Sequence, residues 1–300
     1  MKRRVGYIGV GRMGHGAAKN ILAKGWAVTV LAHRNRAPVD DLVARGATEA
    51  VSAAVLAAGS DVIFLCLPGA AEVEASIDAL RPGLRPGTII VDKSTGDPAT
   101  TRRLGAVLAS EGIGLIDAPI GRSPKEAEEG RLSTVLGGEA AHIAIARPII
   151  AAYADTIIAA GALGNALTVK IINNFVSFAN AFVIAETFAT ASRLGIAFEP
   201  LIAMIEAGGS NSTMFQWIKP WITDGDDSRG RGRIAAGAGV FEAYRAAAAA
   251  GGAPTVMADA VGSILGEVLA SGYGEFSIPH LPGIVASLAG AGFRDLKANG

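Results

Sequence analysis

VGYIGVGRMG (residues 5–14) opens as a short apolar run, Val5 to Ile8, and ends in three glycines spaced G-x-G-x-x-G. A helical pattern runs on from about His15 to Lys24 and stops at Gly25, so the glycines join a strand to a helix. In that setting Gly9 permits the tight turn, Gly11 lets a pyrophosphate reach the backbone, and Gly14 lets helix and strand pack closely. The spacing alone would also suit a glycine-rich turn in a non-binding α/β protein. The strand before it and the helix after it favour a dinucleotide site built from Gly9, Val10, Gly11, Arg12, Met13 and Gly14.

The same alternation continues outward. Residues 27–32, 61–67, 87–92 and 114–118 read as further strands, the second of them closed by Pro68. Strands alternating with helices predict a doubly wound parallel sheet. After Tyr153 the pattern changes: residues 165–193 are helical throughout. The remainder of the chain is Ala-rich helix divided by Gly and Pro, as in AYRAAAAAGGAP (243–254), a strong helix former with its stop. The expected organisation is α/β: an N-terminal Rossmann domain over residues 1–162, then an all-helical domain over residues 163–300.

Half of the 300 residues are apolar, which is enough for one large or two ordinary cores. The 27 basic residues balance the 27 acidic ones with no run of like charge, which argues against nucleic acid or a membrane surface and for a small-molecule partner. A single cysteine, Cys66, excludes an internal disulfide framework. MKRRVGYIGVG enters a strand-and-turn pattern directly and does not read as a signal peptide, so a cytoplasmic location is expected. Apolar stretches are interrupted well short of about 18 positions, and no membrane-spanning helix is expected. His15, His33, His142 and His280 have no ligand spacing, so no metal is expected.

At the end of the second strand, an acidic side chain would accept from an adenosine 2′-hydroxyl. Here the chain reads AVTVLAHRNR (27–36), with no carboxylate. His33, Arg34 and Arg36 would instead pair with a 2′-phosphate, which favours NADP, with NAD possible. A solvated basic loop has the same composition. Farther on, Lys170 and Glu186 are the only charges between Asn165 and Ser192, and a helix so apolar is expected to be buried nearly all round. Lys170, Asn174 and Ser177, spaced i, i+4, i+7, share one face. A buried ammonium must find partners or lose basicity, which suits a proton donor or acceptor; a lysine snorkelling to the surface is the plainer alternative.

Four segments in this order carry a family resemblance: GVGRMGHGAAKNILAKG (9–25), VDKST (91–95), DAPIGRSPKEAEEGRL (117–132) and GALGNALTVKIINNF (161–175). Together they resemble the β-hydroxyacid dehydrogenase family, the 3-hydroxyisobutyrate dehydrogenase-like enzymes. The resemblance implies that Lys170 is catalytic, that Asn174 helps hold the substrate, and that Ser94 and Thr95 lie by the nicotinamide. Leu67 and Pro68 complete the expected cofactor contacts, and Ser177 extends the substrate-binding face. It also implies a homodimer or homotetramer, with the active site in a cleft between domains.

Two departures from the family pattern stand out. The common loop Asp-x-Pro-Val-Ser-Gly-Gly is replaced by Asp117-Ala-Pro-Ile-Gly121-Arg122-Ser123, a version similar to the sulfolactaldehyde reductase branch. In that reading Gly121, Arg122 and Ser123 bind the substrate's anionic tail; a surface arginine without a role is the alternative. The family's Lys-Asp pair, due near 238–240, is absent from GRIAAGAGVFEAY (232–244). The expected activity is an NAD(P)-linked hydride transfer between nicotinamide and a short 3-hydroxyacid or semialdehyde with an anionic tail, a sulfonate among the candidates. The open alternatives are an imine reductase, although those relatives generally lack the lysine, and a non-catalytic dinucleotide-binding protein.

Overall fold

In the computed structural model, which describes residues 2–230 and 232–293, the first of two units, Met1–Lys170, holds a nine-stranded sheet. Its strands are β1 (Val5–Ile8), β2 (Val28–Leu31), β3 (Thr48–Ala50), β4 (Val62–Leu65), β5 (Ile89–Asp92), β6 (Gly114–Asp117), β7 (Ile120–Gly121), β8 (Leu132–Gly137) and β9 (Ala154–Gly161). The order is β3-β2-β1-β4-β5-β6-β8-β7, with β9 also paired to β8. From β3 to β6 every pairing is parallel. The strands β1, β4 and β5 are buried at all four positions, as expected of a sheet covered on both faces. The chain builds outward from β1 to β3, then crosses back to β4. That reversal puts a crevice at the carboxyl ends of β1 and β4, where open α/β sheets bind ligands.

Helices α1 (Gly14–Ala23), α2 (Ala37–Ala44), α3 (Ala53–Ala58), α4 (Ala70–Leu80), α5 (Pro98–Ser110), α6 (Pro124–Glu128) and α7 (Ala140–Ile150) connect the strands. The five strands read from sequence are all present, but the sheet is not wholly parallel. Pro119 interrupts the chain between β6 and β7, and both pair antiparallel with β8. The missed β3 is three residues, two of them exposed, and β7 is only two, so neither carries an apolar run.

Helix α8 (Asn165–Arg193) begins in the first unit and continues into the second, Ile171–Gly300. The second unit adds α9 (Phe198–Ala207), α10 (Thr213–Asp224), α11 (Ala236–Ala250), α12 (Val256–Ala270) and α13 (Leu281–Leu288). Its core is aromatic: Phe182, Phe188, Phe215, Trp221 and Phe241 are buried. Phe175 stacks on Tyr244 with ring centroids 3.9 Å apart.

Two expectations about α8 are corrected. By length and composition alone it is apolar enough to cross a membrane, because its aliphatic and aromatic residues outweigh its asparagines and its few charges. Nor is it buried all round, since Val169, Ile172, Val176 and Val183 stay exposed. Their spacing of three, four and seven places them along one side. An apolar composition says that a side can be covered, not which element of the same chain covers it.

Candidate active site

The dinucleotide turn fits its glycines. Gly9 has φ of +91°, and a Cβ there would lie 2.2 Å from the carbonyl oxygen of Cys66, at the end of β4. A Cβ on Gly14 would meet the Gly9 carbonyl oxygen at 1.9 Å. A Cβ on Gly11 would meet nothing within 4 Å, so the exposed backbone of the second glycine has the open space a phosphate needs. The first turn of α1 carries no acidic residue that would repel an anion. Val10 is buried, Met13 half-buried and Arg12 exposed. At the ends of the neighbouring strands β4 and β5, the Leu67 N–H donates to Ser94 Oγ at 2.9 Å, while Pro68 and Thr95 are exposed. These groups lie past the carboxyl ends of the central strands β1, β4 and β5 and suit a dinucleotide.

Beyond β2, His33 and Arg34 stay exposed. Arg36 is engaged: its guanidinium reaches Glu49 on β3 at 3.0 and 2.9 Å and Asp40 at 3.2 Å. The pairing holds the Glu49 carboxyl below the usual range. The acid absent from the end of β2 is thus supplied next door, but it faces an arginine. Behind the turn, His15 on α1 bridges Asp41 of α2 (2.8 Å) and Glu128 of α6 (3.0 Å). Arg45 and His15 together lower the Asp41 carboxyl to about 2.

In the substrate loop, Arg122 is the one non-glycine among the described residues with positive φ, +75°. A left-handed conformation at a long side chain carries strain, so the geometry here is held by partners. The guanidinium donates to the Arg131 carbonyl, to Asp155 at 2.8 Å and to Thr156 Oγ1 at 3.0 Å, the last two on β9. Asp155 is held below the usual carboxylate range, by Arg122 first. Ser123 caps α6: its N–H donates to Glu126 at 3.0 Å, and its hydroxyl engages the same carboxylate. A Cβ on Gly121 would lie 2.5 Å from Ser133 Oγ, so a larger residue there would have to turn the serine hydroxyl aside.

On α8, Lys170 is half-buried, and burial lowers its ammonium pKa. Among the described residues no carboxylate pairs with it. Asn174 is half-buried one turn on, and Ser177 Oγ donates back to the Asn173 carbonyl at 3.1 Å, leaving its lone pairs available. One helix therefore carries all three polar groups in a row.

Three buried charged groups were not read as site residues. Asp117 at the end of β6 is fully buried and accepts from the Gly164 and Leu167 N–H groups, and burial pushes its carboxyl up. Its register neighbour Asp92 is pushed up to about 6, chiefly by burial. Immediately past the end of β5, Lys93 is buried to 2% exposure. Its ammonium donates to Tyr7 Oη at 2.7 Å and sits 4.0 Å from the centroid of the Tyr153 ring. The signal available was local: each ends or directly succeeds a short apolar strand at its carboxyl end, where ligands gather.

Known proteins resemble this chain over most of its length. Residues 4–161 match the family described as the NAD binding domain of 6-phosphogluconate dehydrogenase. Residues 164–276 match that described as the NAD-binding domain of NADP-dependent 3-hydroxyisobutyrate dehydrogenase. The 2-(hydroxymethyl)glutarate dehydrogenase of Eubacterium barkeri is 32% identical over 76% of this chain and 76% of its own. The 3-sulfolactaldehyde reductase of Escherichia coli is 30% identical over 71% and 73%. The solved 3-hydroxyisobutyrate dehydrogenase of Mycobacterium tuberculosis, with L-serine, superposes with a TM-score of 0.85 over 95% of this chain and 99% of that one. At 23% identity it speaks for the fold.

Proposed function

This chain belongs to the β-hydroxyacid dehydrogenase family of NAD(P)-dependent oxidoreductases, and from that premise we propose that it interconverts a short semialdehyde and its 3-hydroxyacid, with NADP preferred. The observation that carries the reading is Lys170, the one basic residue inside an otherwise apolar stretch of α8, with its basicity lowered by burial. When bound, the nicotinamide supplies or accepts the hydride. Lys170, as an ammonium, donates a proton to the carbonyl oxygen during reduction and stabilises the charge developing there; as a neutral amine it takes the hydroxyl proton in the reverse direction. Asn174 and Ser177 offer an amide and a hydroxyl to orient the substrate. Exposed Arg34 and His33 favour the 2′-phosphate of NADP, whereas Arg36 is already paired.

Gly121, Arg122 and Ser123 are assigned to the anionic tail. In that role the Arg122 guanidinium exchanges Asp155 for a carboxylate or sulfonate, so Asp155 competes with the substrate. Residues 1–162 form the cofactor domain and residues 163–300 the domain for substrate and self-association. The exposed valines and isoleucine along α8 favour a homodimer, which would cover them without a membrane. A cytoplasmic location, a small anionic substrate and no nucleic acid complete the reading.

The test is NADPH- and NADH-linked reduction of sulfolactaldehyde, succinic semialdehyde, methylmalonate semialdehyde and tartronate semialdehyde. At least one is expected to turn over, faster with NADPH. Arg122→Gly removes the guanidinium and suits the left-handed backbone, so a KM rise of about tenfold for that substrate reports on charge. Asp155→Asn is expected to lower the same KM by about twofold to fivefold, the worth of an exposed ion pair. No turnover with any of the four would remove the proposed substrate class, and unchanged KM in both variants would remove the tail assignment.

A further inference from the structure

We infer that Asp117 is a positioning residue that sets Lys170 in register with the substrate loop; this rests on the reading of Lys170 as the proton donor. Helix α8 starts at Asn165, which makes Gly164 its N-cap and Leu167 its third residue. A helix leaves its first N–H groups without intrahelical partners. A capping box would satisfy two of them with side chains at these same two positions, the N-cap and the third residue. Here neither can: Gly164 has no side chain and Leu167 is apolar. The Asn165 amide is turned to the Ala160 carbonyl at 2.9 Å.

Asp117 does from another strand what the helix cannot do for itself. Its Oδ1 accepts from the Gly164 N–H at 2.9 Å and its Oδ2 from the Leu167 N–H at 2.8 Å. The carboxylate is fully buried and lies at the positive end of the helix dipole, so both its charge and its two acceptors are used. The space is reserved for it. A Cβ on Gly137, the β8 partner of Asp117, would fall 2.3 Å from Oδ1. Gly164 has φ of +85°, a conformation that favours glycine.

Two features give this cap a functional direction. Lys170 stands three residues past Leu167, about 4.5 Å along the helix axis at 1.5 Å per residue, so the capped turn is the one that aims it. Asp117 is also the first residue of the loop that continues through Gly121, Arg122 and Ser123. One side chain therefore anchors both the proton donor and the tail-binding loop within the first unit. Misplacement of a reacting group by about 1 Å costs on the order of a hundredfold in rate.

The experiment uses the full chain with NADPH and whichever aldehyde turns over. Asp117→Asn keeps the size and one acceptor oxygen but sets an NH2 group against an N–H. It is expected to lower kcat about tenfold to a hundredfold, with NADPH affinity within about twofold of the parent. A purely structural cap would change thermal stability and leave the rate per NADPH-binding site intact. The decisive measurement is the same substitution in Lys170→Ala, assayed with added methylamine. If Asp117 acts through Lys170, it costs nothing further there. An equal loss in both backgrounds, or a full rate in Asp117→Asn, overturns the inference while leaving the Lys170 reading standing. A full rate in Lys170→Ala overturns both. Should Asp117→Asn fail to fold, Gly137→Ala crowds the carboxylate without removing it, and the same comparison applies.

Discussion

Lys170→Ala is expected to lower kcat for aldehyde reduction by about a thousandfold while NADPH binds with unchanged affinity, the scale of a lost general acid. Lys170 lies on α8 and is not among the residues assigned to the dinucleotide, Gly9 to Gly14, His33, Arg34, Leu67, Pro68, Ser94 and Thr95. Its removal therefore leaves the cofactor groups in place. The pH dependence supplies an independent check. Burial lowers the ammonium pKa, so the proton is lost at a lower pH than from an exposed lysine. Reduction needs the protonated form, and its rate is expected to fall as pH rises through that pKa. Oxidation needs the neutral amine, and its rate is expected to rise over the same range. Opposite limbs in the two directions, both absent from the alanine variant, identify Lys170 as the group; identical limbs in both directions would assign the proton elsewhere. A protein that binds NADPH and turns over none of the aldehydes, with or without Lys170, would be a dinucleotide-binding protein only.

Much of this arrangement was legible because it is written in short, local patterns. Four-residue apolar strands ending in glycine, proline or an acid marked the parallel half of the sheet, and the glycine spacing marked its crevice. The limits of α8 were legible for the same reason: Gly164 opens it and charge closes it. Partners far apart in sequence were not. Arg36 and Arg122 both read as anion receptors, yet Glu49 on β3 and Asp155 on β9, 13 and 33 residues on, pair with them. The antiparallel edge was hidden because β7 is two residues long and pairs with a strand beyond α6. Asp117 read as part of a loop, since nothing local says that a helix starting almost fifty residues later lacks its own cap.

Lys93→Met is expected to stabilise the protein by about 2–3 kcal/mol at pH 7 and by less than about 1 kcal/mol near pH 10.5. Lys93 is buried to 2% exposure, with Tyr7 Oη and two aromatic rings around its ammonium, and burial brings its pKa from 10.5 down to about 8. Proton counting sets the sign. Between pH 8 and 10.5 the unfolded chain holds this proton and the folded chain does not, so stability rises with pH across that window. Below pH 8 both states are charged, and the folded state carries the whole cost, about 3 kcal/mol for a shift of this size. Above 10.5 both are neutral and the cost is gone. Methionine fills a similar volume without a charge, so its advantage is confined to the lower range. Urea unfolding of both proteins at the two pH values measures the difference, and titrations common to both cancel. An equal gap at both pH values would mean that packing, not charge, separates them. A loss of stability at pH 7 would mean that the Tyr7 hydrogen bond and the Tyr153 ring outweigh desolvation. Because Lys93 immediately precedes Ser94 and Thr95, retained NADPH affinity in the stabilised variant would assign the lysine to the sheet interior and leave cofactor binding to its neighbours.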